Sequence, residues 1–181
     1  MTDHTKLKVT EMGRMSVEDF RNSIKIPITV VLDNVRSMYN VGSVFRTADA
    51  FRLEQICLCG ITSTPPHPEI HKTALGAEDT VSWTHYDNTL DAVSELRRHG
   101  FMIIAIEQVK NSIMLQDFNI NTNQKYALVF GNEVKGVQQE VVDLCDDCIE
   151  IPQFGTKHSL NVSVTAGIVM HHFARYYIYG M

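Results

Sequence analysis

Five short runs rich in β-branched and other apolar residues punctuate the chain, at 28–32, 55–61, 101–106, 126–130 and 148–151. Between them lie stretches with helical spacing. Val41, Val44, Phe45, Ala48 and Phe51 form one such stripe, and Leu90, Val93 and Leu96 form another that ends at Gly100, a C-cap residue. The runs are apolar throughout rather than at every second residue, so each is a strand covered on both faces. Such strands alternating with helices make a parallel sheet. The predicted fold class is therefore α/β, a mostly parallel sheet with helices on both faces. Ser16 with Asp19 resembles a capping box, and Met15 with Phe20 has the spacing of a hydrophobic staple, so a helix precedes the first strand. Pro65, Pro66 and Pro68 make the start of the stretch 62–86 an irregular loop. The segment 160–179 is apolar enough for a largely buried helix. The domain reading is a short N-terminal helical extension over 1–27 and one α/β domain over 28–181.

The chain's 181 residues suffice for one domain with a full core. Neither a run long enough to span a bilayer nor an apolar signal core near Asp3, Lys6, Lys8 and Glu11 is present, so a cytoplasmic protein is expected. Cys57, Cys59, Cys145 and Cys148 read as reduced packing residues, since a lone C-x-x-C supplies two of the four ligands of a zinc site. No metal is expected, because the neighbouring His171 and His172 project in different directions from a helix. The net charge of −5 argues mildly against nucleic acid, yet Asp143, Asp146, Asp147 and Glu150 hold much of it in one stretch.

Ligands of parallel sheets bind beyond the carboxyl ends of the strands. Three of these ends are rich in Gly, Asn and polar side chains: 33–47, 131–136 and 151–163. Each has a plain alternative. Asn40 suits a helix cap, Arg46 a solvated helix face, Gly131 and Gly136 turns, and Ser159 the cap of the last helix. Their joint occurrence on successive strand ends points to a site.

Asn40-x-Gly42-x-x-x-Arg46-Thr47, Gly131-x-Glu133-x-x-Gly136, and Ile151-Pro152 with Gly155 and Ser159-Leu160-Asn161-Val162-Ser163 resemble the three ordered motifs of the SpoU (TrmH) RNA 2'-O-ribose methyltransferases, in the SPOUT superfamily. Lys72-Thr73-Ala74-Leu75-Gly76-Ala77-Glu78 is similar to a further family segment. Val134, Lys135 and Thr165-Ala166 depart from the family pattern at positions outside the expected chemistry. The resemblance implies a C-terminal trefoil knot, which is rare among folds. It also implies S-adenosylmethionine as cofactor, a homodimer, and a tRNA or rRNA substrate, with the short extension favouring tRNA.

The resemblance further implies site roles. Arg46 is the expected catalytic arginine. A guanidinium keeps its proton, so it is expected to act as an electrostatic clamp on phosphate and developing alkoxide. Asn40 would hold the nucleotide or Arg46. Glu133 would hold Arg46 or Asn161, while Ser159 and Asn161 give neutral hydrogen bonds near the transferred methyl. Ile106, Glu107, Gly131, Asn132, Ile151, Ser159 and Leu160 would bind the cofactor, with Ile151 and Leu160 against the adenine. Two rival readings are a non-catalytic RNA-binding or assembly factor on this fold and a nucleotide-binding oxidoreductase. The latter needs G-x-G-x-x-G after the first strand, and Asn40-Val41-Gly42 lacks its first glycine.

Overall fold

The computed structural model describes residues 4–180. The start of the predicted extension, Asp3 included, and Met181 lie outside the described residues. The strands are β1 (Ile26–Asp33), β2 (Leu53–Cys59), β3 (Ser82–Tyr86), β4 (Phe101–Ile106), β5 (Ile113–Met114), β6 (Lys125–Phe130) and β7 (Asp147–Glu150). The helices are α1 (Val17–Asn22), α2 (Met38–Ala50), α3 (Pro68–Ala74), α4 (Thr89–Arg98), α5 (Gln139–Val142) and α6 (Val162–Tyr179). The strands form one sheet in the order β3-β2-β1-β6-β4-β7-β5, and all its pairings are parallel.

Strand alternation sorts the core into two layers. Ile28, Val30 and Leu32 of β1, Ile56 and Leu58 of β2, and Leu128 and Phe130 of β6 face α2 and α6, meeting Val41, Phe45, Ala166 and Phe173. Val31, Cys57, Cys59, Ile103, Ala127 and Val129 point the other way, toward Ala92, Val93, Leu96 and Val141 of α4 and α5. Helices thus cover both faces, as the apolar runs predict. Cys57 and Cys59 pack into the second layer, and burial pushes the Cys57 thiol up to about 12. All four cysteines are free thiols. Among the described residues no helix is long and apolar enough to cross a membrane.

Several local expectations are refined. The Ser16 hydroxyl does accept from the Asp19 N–H at 3.1 Å, opening α1, but Met15 stays 51% exposed instead of stapling over the buried Phe20. The stretch 62–86 leaves its loop to form α3 and then β3, an edge strand whose Ser82, Thr84 and His85 are exposed. Ser37 caps α2 by accepting from the Asn40 N–H, which places Asn40 inside the first turn rather than at the cap. Asn161, not Ser159, caps α6, accepting from Ser163 and Val164.

Chain direction across the sheet reverses beside β1, which has β2 on one side and β6 on the other. At this switch point Asp33 ends β1 with its carboxylate fully buried. It accepts from the Thr89 hydroxyl at 2.6 Å, from the Gln138 backbone and side chain at 2.8 and 2.7 Å, and from the Asn34 amide at 2.8 Å. These bonds hold the start of α4 and the end of the β6–α5 loop against β1. Asp33→Ala would leave the buried Thr89 hydroxyl and the Gln138 N–H without their acceptor. We expect a loss of about 3 kcal/mol or more, at ~1–3 kcal/mol per orphaned group. Urea unfolding measures it, and an unchanged midpoint would contradict this account.

Candidate active site

The carboxyl ends of β4, β6 and β7 enclose a cavity of about 490 Å³. Ile106, Glu107 and Gln108 line it from β4, residues 130–136 from β6, and residues 149–151, 153 and 158–162 from β7 and the approach to α6. The expected cofactor residues Ile106, Glu107, Gly131, Asn132, Ile151, Ser159 and Leu160 all lie on this wall, together with Glu133 and Asn161. Asn40 sits behind it, and Arg46 is absent from it.

The β6–α5 loop is a closed hairpin of backbone. Asn132 and Gly136 exchange N–H···O bonds at 3.0 and 2.9 Å. A Cβ on Gly131 would meet the Gly136 carbonyl carbon at 2.0 Å, so the close approach this glycine permits is that of its own loop. The Asn132 side chain is fully used: it donates to the Asn34 carbonyl at 2.7 Å and accepts from the Val134 and Lys135 N–H groups. Glu107 also braces the loop. It accepts from the Val137 N–H at 2.9 Å through Oε2 and from the Gln108 N–H through Oε1. Gln108 then donates to the His158 carbonyl at 2.9 Å, tying in the third loop.

The three motifs meet in one polar relay. Glu133 accepts from the Arg36 and Ser37 N–H groups at 3.0 and 2.9 Å and from the Asn40 amide at 3.1 Å. Asn40 in turn accepts from the Asn161 amide at 3.2 Å. Partial burial pushes the Glu133 pKa up. The Arg36 and Ser37 N–H groups and the Asn40 amide outweigh it, and the carboxyl titrates below its ordinary value. Glu133 therefore reaches Asn161 through Asn40, and its partners do not include Arg46. Arg46 is exposed on α2 and makes no hydrogen bond or ion pair among the described residues. Ser159 keeps a hydroxyl on the cavity wall.

Sequence reasoning missed Gln108, whose signal is its place at a strand end beside Glu107, and Asp33, readable as the last residue of β1. The lining carries Glu107, Glu133 and Glu150 against Lys135 as its lysine. That balance suits a ligand with a cationic centre and disfavours a dinucleotide pyrophosphate.

An α/β domain with a ligand cavity of this kind at the carboxyl ends of its strands defines a small-molecule-binding domain on a parallel sheet. The chain matches the model of the SpoU rRNA Methylase family over residues 27–171, and it belongs to that family. It is 32% identical over 159 residues to the 23S rRNA (guanosine-2'-O-)-methyltransferase RlmB of Neisseria meningitidis serogroup B, covering 87% of this chain and 62% of that protein. To the tRNA (guanosine(18)-2'-O)-methyltransferase of Borreliella burgdorferi it is 28% identical over 163 residues, 90% of this chain and 73% of that one. Among solved structures, the A. aeolicus TrmH/SpoU tRNA modifying enzyme superposes with a TM-score of 0.79 at 27% identity, covering 91% of this chain and 82% of that one. An AdoMet-bound rRNA methyltransferase from Sinorhizobium meliloti gives 0.78 at 27% identity, covering 88% and 60%.

Glu133 gives a signed pH prediction. Its folded pKa is depressed, so its contribution to stability is present above the ordinary value of 4.5 and is lost as pH falls through the lower folded pKa. Glu133→Gln should therefore lower the thermal transition relative to wild type at pH 7, with the gap closing below pH 4.5. A gap of equal size at pH 7 and pH 3 in thermal scans would contradict the assigned hydrogen bonds.

Proposed function

We propose that this chain transfers a methyl group from S-adenosylmethionine to a ribose 2'-hydroxyl of a structured tRNA or rRNA. The observation that carries this reading is the acid-lined cavity, walled by the second and third motif loops with the Glu133–Asn40–Asn161 relay at its edge. Relatives of this chain are named as ribose 2'-O-methyltransferases of both RNA classes, and a neighbour of the same fold carries AdoMet. Ile151 and Leu160 supply apolar surface for an adenine, and Glu107 and Glu150 supply negative potential.

When bound, S-adenosylmethionine supplies a methyl on a cationic sulfur, which keeps the bonding pair as the ribose oxygen takes the carbon. The chain's own residues position and polarise. Glu133 is held as a carboxylate by three donors, which makes it a poor base, so it fixes Asn40 rather than taking the hydroxyl proton. Ser159 and the Asn161 amide offer neutral hydrogen bonds beside the methyl-transfer point. The proton passes to phosphate or water while Arg46 offsets the charge on the alkoxide.

Arg46 stands outside its own chain's cavity, so a second copy is the natural source of that arginine. The apolar residues that α6 leaves exposed, Val164, Ile168 and Ile178 at 51, 40 and 47%, suit a homodimer contact. We assign the family's trefoil knot to the part of the chain from β6 through the start of α6, the part that Glu107 and Gln108 brace by hydrogen bonds. The extension docks on the domain through the buried Phe20 and through Arg21, which donates to the Asp79 carbonyl.

Calorimetry should find one S-adenosylmethionine or demethylated product bound per chain, and an absence of both would sink the enzyme reading. Ribose-methylation mapping of RNA from cells with and without the protein identifies the substrate. On that RNA, Arg46→Ala should lower methyl transfer by roughly 10²-fold or more at near-unchanged cofactor affinity. A well-folded variant with near wild-type rate would remove Arg46 from the mechanism. Sedimentation should show a dimer at micromolar concentration, and a monomer would refute the shared site.

A further inference from the structure

The first motif builds more than the relay. A Cβ on Gly42 would meet Thr73 Oγ1 at 2.1 Å and the Ile70 carbonyl at 2.3 Å, so only glycine lets α3 lie this close to α2. Thr73 Oγ1 donates to the Tyr39 carbonyl at 2.9 Å, and the Lys72 ammonium stands 6.0 Å from the centre of the Tyr39 ring. Tyr39 is nevertheless 45% exposed. Arg46 lies seven residues along α2 from Tyr39 and hence on the same face.

Neither Lys72 nor Arg46 has an acidic partner among the described residues. Glu78, in the turn that follows α3, is occupied by His71 and the Gly76 N–H, and Glu69, one turn before Lys72, makes no ion pair with it. Lys72 is thus an exposed cation against an exposed ring, and Arg46 adds a second exposed cation about two turns along α2 from Tyr39.

Resting on the methyltransfer reading, we propose that the Tyr39–Lys72–Arg46 face of α2 and α3 binds the RNA strand next to the target nucleotide. Lys72 contacts a phosphate and Tyr39 stacks an unpaired base. A flat ring flanked by spaced cations matches a strand that alternates bases with phosphates. Continuity favours the same partner, since α2 carries Asn40 of the relay and Arg46 on one helix.

Fluorescence anisotropy with labelled total tRNA and with a 20-nucleotide single-stranded RNA, over a series of KCl concentrations, tests this. Lys72→Gln should weaken binding and reduce the steepness of log K against log salt by about 0.7–0.9, the loss of one phosphate contact. Tyr39→Leu should weaken binding of the single strand by about 10-fold with little change in slope, whereas Tyr39→Phe, which keeps the ring, should stay near wild type. S-adenosylmethionine affinity and thermal transitions should be unchanged in all three. Unaltered RNA affinity and salt slope in folded Lys72→Gln and Tyr39→Leu would overturn the assignment and leave the methyltransfer reading standing. The same result with a loss of dimer in sedimentation would identify the face as a contact between copies, again overturning it. A wild-type protein that binds S-adenosylmethionine but neither RNA would overturn this assignment.

Discussion

A fully buried carboxylate, that of Asp33, sits at the point where chain direction reverses across the sheet. Burying Asp33 would cost several kcal/mol without donors in place of solvent. Four neutral donors at 2.6–2.8 Å replace that solvent, and they come from three separate parts of the chain. The requirement works in both directions. Asp33 is tolerated only if α4 and the β6–α5 loop stand where they do, and those segments are held because Asp33 needs them. Its neighbour Asn34, in the left-handed region at φ 56°, turns its carbonyl to the Asn132 amide. With Asn132 fixed, Glu133 falls under the Arg36 and Ser37 N–H groups at the start of α2. The relay to Asn40 and Asn161 is the far end of a network that begins at the end of β1.

The layered sheet was legible because its signal is local. Runs such as 101–106 and 126–130 are apolar at successive positions, and β4 and β6 fall at nearly those limits. The cap of α2 was not decided by sequence because Ser37 and Asn40, three residues apart, are both cap-forming types, and only the hydrogen bond chooses between them. β3 and β5 escaped notice for a different reason: one is an edge strand with polar side chains facing solvent, the other is two residues long. In the site, residue types and spacing located the cavity wall, while individual duties were hidden. Asn132 and Glu107 look like ligand groups in sequence, yet their side chains are taken up by backbone N–H groups up to 30 residues away. No periodicity encodes a pairing at that separation.

Charge segregates within this acidic chain. The cavity wall gathers Glu107, Glu133 and Glu150, while Lys72 and Arg46 lie unpaired on α2 and α3. A net charge of −5 describes neither surface. Potential at a surface depends on charges within about a Debye length, ~8–10 Å at physiological salt, so opposite patches on one small domain act separately. The acidic total therefore does not by itself decide against RNA.

The same segregation bears on why the relay ends in amides. Glu133 is the charged member, and it lies farthest along the chain of bonds from Asn161. A carboxylate placed directly at the reaction point would stabilise a cationic methyl donor before transfer and lose that interaction as the sulfur becomes neutral, which raises the barrier. In the relay the charge of Glu133 orients Asn40, and the member at the far end, Asn161, is a neutral amide. In the proposed reaction Arg46, whose side chain has no ion pair among the described residues, would be the group free to meet the charge that develops on oxygen. The proposed division of labour would then follow from where the charges sit: a fixed anion orients, neutral amides contact, and a cation stabilises the product side.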